Sequence, residues 1–216
     1  MMKCVEAGHE IVALANLYPS DGQEELDSYM YQSVGHDVIG AYAECMQLPL
    51  YRRPITGKPC NLAFDYVPTE SDEVEDLYEL IREVKVAHPD IEAVSSGAIF
   101  SSYQKNRVEN ICERLGLVSL AYLWEREQKG LLTEMIDSGL HAILIKVATY
   151  GLDGSDLGKS LGEMREKLFR LEAAVKVNVC GEGGEFESLT LDCPLFKRRL
   201  VIDESRKIVH RDHFEA

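Results

Sequence analysis

The sequence predicts an α/β protein built on a doubly wound, mostly parallel sheet, with a smaller β-rich region at its C-terminal end. Three observations carry this prediction. Short apolar runs alternate with helical periodicity over residues 1–150, the pattern of strands joined by crossover helices. The runs are nearly continuous in apolar residues, as strands covered on both faces are, and His141–Thr149 (HAILIKVAT) is the strongest of them. Beyond the helical stretch Lys159–Val175, glycines and short strand-like segments dominate. The division expected is an α/β unit over 1–150 and a C-terminal region over 151–216.

The elements follow in order. Met1–Gly8 reads as a helix end capped by Gly8. Glu10–Leu17 (EIVALANL) is a short strand, and Pro19–Gly22 breaks the chain. Asp27–Leu48 is predicted helical because Met30, Val34, Val38, Tyr42 and Met46 recur every four residues. Leu48–Arg53 is a second strand, followed by a loop rich in proline. Thr69 and Asp72 form a capping pattern before a helix with Val74, Leu77, Ile81 and Val84 on one face, ended by Pro89. Ile91–Phe100 is a buried-type strand, and Val108, Ile111, Cys112 and Leu115 make the next helical stripe. Val118–Leu123 is a brief strand and Gln128–Asp137 a helix. Further strands are expected near Ser188–Leu191, Arg199–Ile202 and Lys207–His210. In such sheets ligands gather at the carboxyl ends of the strands, so the loops after Leu17, Arg53, Phe100 and Thr149 are the places to look.

Composition narrows the function. The 216 residues carry a formal net charge of -14, and such a surface repels phosphate backbones. Direct nucleic-acid binding and anionic membranes are therefore not expected. Six cysteines include no CxxC pair and no His–Cys cluster at metal-ligand spacing. They read as reduced cytosolic thiols, and no metal ligands are assigned. No apolar run approaches the roughly 20 residues that span a bilayer.

Two glycine-rich segments compete for attention. In Gly181–Glu187 (GEGGEFE), Gly181, Gly183 and Gly184 alternate with Glu182, Glu185 and Glu187. Glycines let backbone approach a ligand, and carboxylates hold Mg²⁺ or an amine; a tight turn with solvated acids explains the composition equally well. Gly151–Ser160 (GLDGSDLGKS) ends like a phosphate-binding P-loop, but the glycine required five residues before Gly158 is Asp153. A third segment, Ser101–Arg107 (SSYQKNR), follows a predicted strand. Tyr103 and Gln104 are placed to touch a ligand and Arg107 to meet an anion, with a plain helix cap as the alternative. No histidine has a Ser, Cys or Asp partner at triad spacing.

Four segments together carry a resemblance: ELDSYMYQSVGH (Glu25–His36), GAIFSSYQKNRVENIC (Gly97–Cys112), LAYLW (Leu120–Trp124) and CGEGGEFESLTLDCPLFKRR (Cys180–Arg199). In these the chain resembles the diphthine–ammonia ligase family, related to the N-type ATP pyrophosphatases. The resemblance implies an adenine-nucleotide α-hydrolase core, with ATP and Mg²⁺ as cofactors. It implies a cytoplasmic enzyme that amidates diphthine, a modified histidine on translation elongation factor 2, using free ammonium through an adenylated carboxylate. Glu182, Glu185 and Glu187 are the catalytic candidates it suggests. Gly97, Tyr103, Gln104, Arg107, Gly181, Gly183 and Gly184 are expected around the nucleotide, and Ser28, Tyr29 and His36 around the substrate. The family's SGGKDS pyrophosphate loop does not occur in the sequence. This leads to the expectation of a truncated, weakly adenylating chain, or of a non-catalytic protein that still binds elongation factor 2.

Overall fold

Strand pairing organises the chain into three ladders, two parallel and one antiparallel. The structure, a computed structural model, describes residues 1–20, 25, 26 and 28–209. The elements are α1 (Met2–Glu6), β1 (Leu14–Pro19), a 3-10 turn (His36–Val38), α2 (Ile39–Met46), β2 (Leu50–Ile55), α3 (Glu73–Ala87), β3 (Ala93–Ser95), α4 (Ser102–Leu115), β4 (Val118–Leu120), α5 (Gln128–Asp137), β5 (His141–Val147), α6 (Leu161–Val175) and β6 (Phe186–Asp192). Strand β1 pairs with β2 in parallel, and β3 with β4 likewise. Strand β6 returns antiparallel to β5, across the 150/151 division suggested by the sequence.

Helix α3 packs on β1 and β2, α4 on β4 and α3, and α6 on β5 and α5. Two large apolar clusters result. One joins Leu132, Leu144, Met164, Leu168, Val179 and Phe186, and the other joins Val74, Ile81, Val108, Ile111 and Cys112. Each fully buried leucine contributes about 1.5–3 kcal/mol.

The helix ends follow local chemistry. Asp72 caps α3 by accepting from the Val74 N–H at 3.0 Å, and it also accepts from the N–H groups of Cys60 and Asn61. Four residues on, Asp76 accepts from the N–H groups of Thr56 and Gly57. These two carboxylates tie loop 56–61 onto the first turn of α3. A Cβ on Gly57 would lie 2.5 Å from the Asp72 carbonyl carbon, so only glycine permits the approach. Ser160 and Glu163 form a reciprocal capping box on α6.

Several expectations need correction. The predicted helix 27–48 is helical only over 36–46, and Asp27 lies outside the described residues. The reason is local competition. The Ser28 hydroxyl accepts from the N–H groups of Met30 and Tyr31, while the Ser33 hydroxyl bridges the N–H and C=O of Leu26. Gly35, left-handed at φ 76°, then restarts the chain as a helix. The strand expected over Ile91–Phe100 is a ladder only at Ala93–Ser95, because the backbone N–H groups of residues 99–101 turn away to a carboxylate described below. Among the described residues no strand forms at Arg199–Ile202 or from Lys207 onward, and His210 lies outside them.

The P-loop-like segment is also settled by its contacts. Asp156, fully buried, takes hydrogen bonds from Lys159 at 2.9 Å and Lys167 at 2.5 Å, so Lys159 points into the loop's own closure. Burial pushes the Asp156 carboxyl up, but its hydrogen bonds from Lys167 and Lys159 outweigh that and hold it at about 2.

Candidate functional site

A cleft of about 1030 Å³ opens between residues 25, 26 and 28–32, the loop 97–104 and the turn 180–188. These are three stretches far apart in sequence. The first follows β1, the second follows β3, and the third joins α6 to β6.

Glu182 holds two of the walls together. Its carboxylate accepts from the N–H groups of Ile99 at 2.6 Å, Phe100 at 2.8 Å and Ser101 at 3.1 Å. Those are donors in the loop that leads into α4, ending at its N-cap Ser101. The Ser101 hydroxyl completes the cap by accepting from the Gln104 N–H. Glu182 therefore clamps the glycine-rich turn to the loop after β3. Glu185 closes the turn itself, accepting from the N–H groups of Asn178 and Gly183, both at 2.9 Å. Gly181 and Gly184 are left-handed at φ 77° and 81°, and a Cβ on Gly181 would lie 2.7 Å from the Phe186 carbonyl oxygen. The turn thus depends on glycine for its shape.

Glu187 faces the cleft from β6. Its carboxylate lies 3.6 Å from Lys146, which in turn lies 2.9 Å from Glu25. Burial raises the Glu187 carboxyl above its usual range, and the Lys146 charge offsets only part of that. Burial lowers Lys146, but its hydrogen bond to Glu25 and the charge of Glu187 win and leave it raised. Lys146 is thus a fixed ammonium group between two carboxylates. Cys180 also lines the cleft, but burial first and the Glu182 charge second push its thiol up to about 12. It is therefore no nucleophile at neutral pH.

The remaining sequence candidates divide into two groups. Gly97, Ser28, Tyr29, Tyr103 and Gln104 line the cleft with Gly181, Gly183 and Gly184. Ser28 donates to Glu73 at 2.9 Å, and Gln104 donates to the carbonyls of Tyr29 and Met30, both at 3.3 Å. Arg107 lies behind the wall. It is fully buried, donates to the carbonyls of Tyr103, Asn61 and Ala63, and stacks 3.3 Å from the Tyr103 ring centroid. His36 stacks on Tyr18 at 6.3 Å, away from the cleft lining. Sequence reasoning did not single out Lys146, Gln32, Tyr31 or Glu73. Lys146 carries a signal in hindsight: it is a lone charge within an otherwise apolar strand. Glu73, 1% exposed, carries none, because first-turn acids are common on solvated helices.

Among the described residues, no three His, Cys, Asp or Glu side chains converge so that they could hold a metal ion. No described helix is long and apolar enough to cross a membrane.

Comparison with known proteins places the chain among its relatives. Residues 2–119 match the model of the diphthamide synthase N-terminal domain, and residues 127–214 match that of its C-terminal domain. The chain is 59% identical over 210 residues to a diphthine–ammonia ligase of Schizosaccharomyces pombe, which covers 97% of this chain but only 35% of that protein. It is 56% identical over 215 residues to the Danio rerio ligase and 54% identical over 214 residues to the Homo sapiens ligase. Those alignments cover 98% and 97% of this chain, and 84% and 80% of the relatives. With both family models matched in order and such identity along nearly its whole length, the chain belongs to the diphthamide synthase family.

Proposed function

We propose that the chain forms the carboxamide of diphthine from the carboxylate and ammonia, at the expense of ATP, with elongation factor 2 carrying the diphthine. The observation that carries this reading is the clamp between Glu182 and residues 99–101. It joins the glycine-rich turn to the loop at the carboxyl end of a parallel strand, where α/β folds bind ligands. The three ladders are then parts of one doubly wound sheet of the adenine-nucleotide α-hydrolase kind, and the protein works in the cytoplasm.

A carboxylate is a poor acyl donor because oxide would have to leave. ATP supplies the remedy: an adenylyl group passes to the carboxylate oxygen with loss of pyrophosphate, and AMP then leaves when ammonia attacks the carbonyl carbon. The residues of the cleft do the rest. Glu187 and Glu25 attract ammonium from solution. Glu187, raised by burial, takes the proton that ammonium must lose before it attacks. Lys146 lies where it can pair with a carboxylate or the carbonyl oxygen derived from it. The clamped loops keep water off the activated acyl group. Mg²⁺ would arrive with the triphosphate, neutralising its charge.

The test is direct. Purified protein is incubated with diphthine-bearing elongation factor 2, ammonium and Mg-ATP, and the modified peptide is followed by mass spectrometry alongside pyrophosphate release. Carboxamide and pyrophosphate in equal amounts support the reading. Binding of the elongation factor without either product would instead favour a non-catalytic binding protein.

A further inference from the structure

The cleft has one wall unlike the rest. Tyr29 and Tyr103 meet there with ring centroids 6.1 Å apart at 64°, forming an aromatic corner beside Tyr31. Tyr29 is 69% exposed, so its ring face is available. Behind the corner lies Glu73, whose Oε2 takes the Ser28 hydroxyl and whose Oε1 has no hydrogen-bond partner among the described residues.

The charge at this wall is negative. Glu73, Asp72 and Asp76 stand behind it against the single guanidinium of Arg107. Tyr31 registers the imbalance: burial first, then the charges of Glu73, Asp76 and Asp72, raise its hydroxyl well above the usual range. In front, among the described residues lining the cleft, Glu25, Glu182 and Glu187 outnumber the one cation, Lys146. The N–H groups of residues 99–101, in the loop leading into α4, are already taken by Glu182. The acids lining the cleft oppose a triphosphate and favour a cation at this wall.

We infer that the Tyr29–Tyr103 corner binds a quaternary ammonium group. Such a group donates no hydrogen bond and is recognised by aromatic faces in a negative field. Diphthine carries a trimethylammonium beside the carboxyl group to be amidated, so the corner fixes which end of the substrate enters here. That last identification rests on the ligase reading, whereas the cation site itself does not.

The test uses choline and its uncharged isostere 3,3-dimethylbutan-1-ol, titrated against the whole protein and followed by NMR. Choline is expected to bind at least roughly tenfold more tightly than the isostere. Tyr29→Leu should weaken choline by roughly three- to thirtyfold, while Tyr29→Phe retains it. Because Tyr29 is exposed, neither variant threatens folding. The site is overturned if the isostere binds as well as choline, if choline fails to bind at up to roughly 50 mM, or if Tyr29→Leu leaves its affinity unchanged. Amidation kinetics separate the two readings. If choline behaves as expected but the wild-type protein amidates no diphthine, the ligase reading falls and the cation site stands. If diphthine is amidated and Tyr29→Leu does not raise KM for the diphthine protein more than it lowers kcat, the site falls and the ligase reading stands.

Discussion

Two glycine- and acid-bearing loops of this protein have opposite uses. Residues 151–160 (GLDGSDLGKS) and 180–187 (CGEGGEFE) are both rich in glycine and acid, and both lie next to the β5–β6 ladder. In the first, Asp156 is buried and pulls Lys159 and Lys167 inward, so the loop is satisfied by its own charges. In the second, Glu182 reaches across to residues 99–101 and Glu187 faces the cleft. The difference teaches that a glycine-and-acid loop declares its role through the partners of its carboxylates, which composition does not record.

The sharpest way to break this contrast is Asp156→Ala. Removing the buried carboxylate takes its charged hydrogen bonds from the partly exposed Lys159 and Lys167, so stability should fall by about 2–3 kcal/mol in urea unfolding, with the cleft left intact. The same residue sets a pH dependence. Its folded pKa of about 2 lies below the ordinary 3.8, so its stabilisation is present above pH 4 and is lost as pH falls from 4 toward 2. The loss amounts to about 2 kcal/mol at one pKa unit per 1.36 kcal/mol. Asp156→Asn should flatten that part of the pH–stability curve.

Next comes Glu182→Ala, which frees the N–H groups of residues 99–101 in the loop leading into α4. A stability loss of about 2 kcal/mol is expected, with amidation falling by roughly a hundredfold as the two cleft walls separate. Glu182→Gln should recover part of both. Lost activity at unchanged stability would instead put Glu182 on the substrate.

Glycine substitutions sharpen the comparison further. Gly181→Ala forces a side chain into the left-handed region and toward the Phe186 carbonyl, costing about 1–3 kcal/mol. Gly154→Ala in the other loop meets nothing within 4 Å and should change the melting temperature by little or raise it slightly. The smallest effect is expected at Glu187. Its folded pKa is raised, so its contribution is favourable at low pH and is lost as pH rises through that folded value. Glu187→Gln should therefore slightly raise the melting temperature at pH 7 while slowing amidation.

The helices show how far the sequence was legible. Gln128–Asp137 is the helix the periodicity predicts, and α6 ends at Val175 as expected, starting at the capping box of Ser160 and Glu163. Where side chains compete for the backbone, as Ser28 and Ser33 do, the apolar spacing of 30–46 misled. The cleft was partly legible as well. Tyr103, Gln104 and the glycine-rich turn were singled out from chain order. Arg107 was expected at an anion and instead holds three carbonyls beneath Tyr103.

By itself the sequence determined the alternation of strands and helices, the family, and the glycines that only a left-handed turn requires. These depend on periodicity and on single-residue sterics, which are local. Only the tertiary structure decided which carboxylate clamps, which faces the cleft and which merely closes a loop. It also decided that Lys146 stands between Glu25 and Glu187, and that two tyrosines 74 residues apart share a corner. Those outcomes depend on burial and on partners brought together across the fold, and no spacing along the chain encodes them.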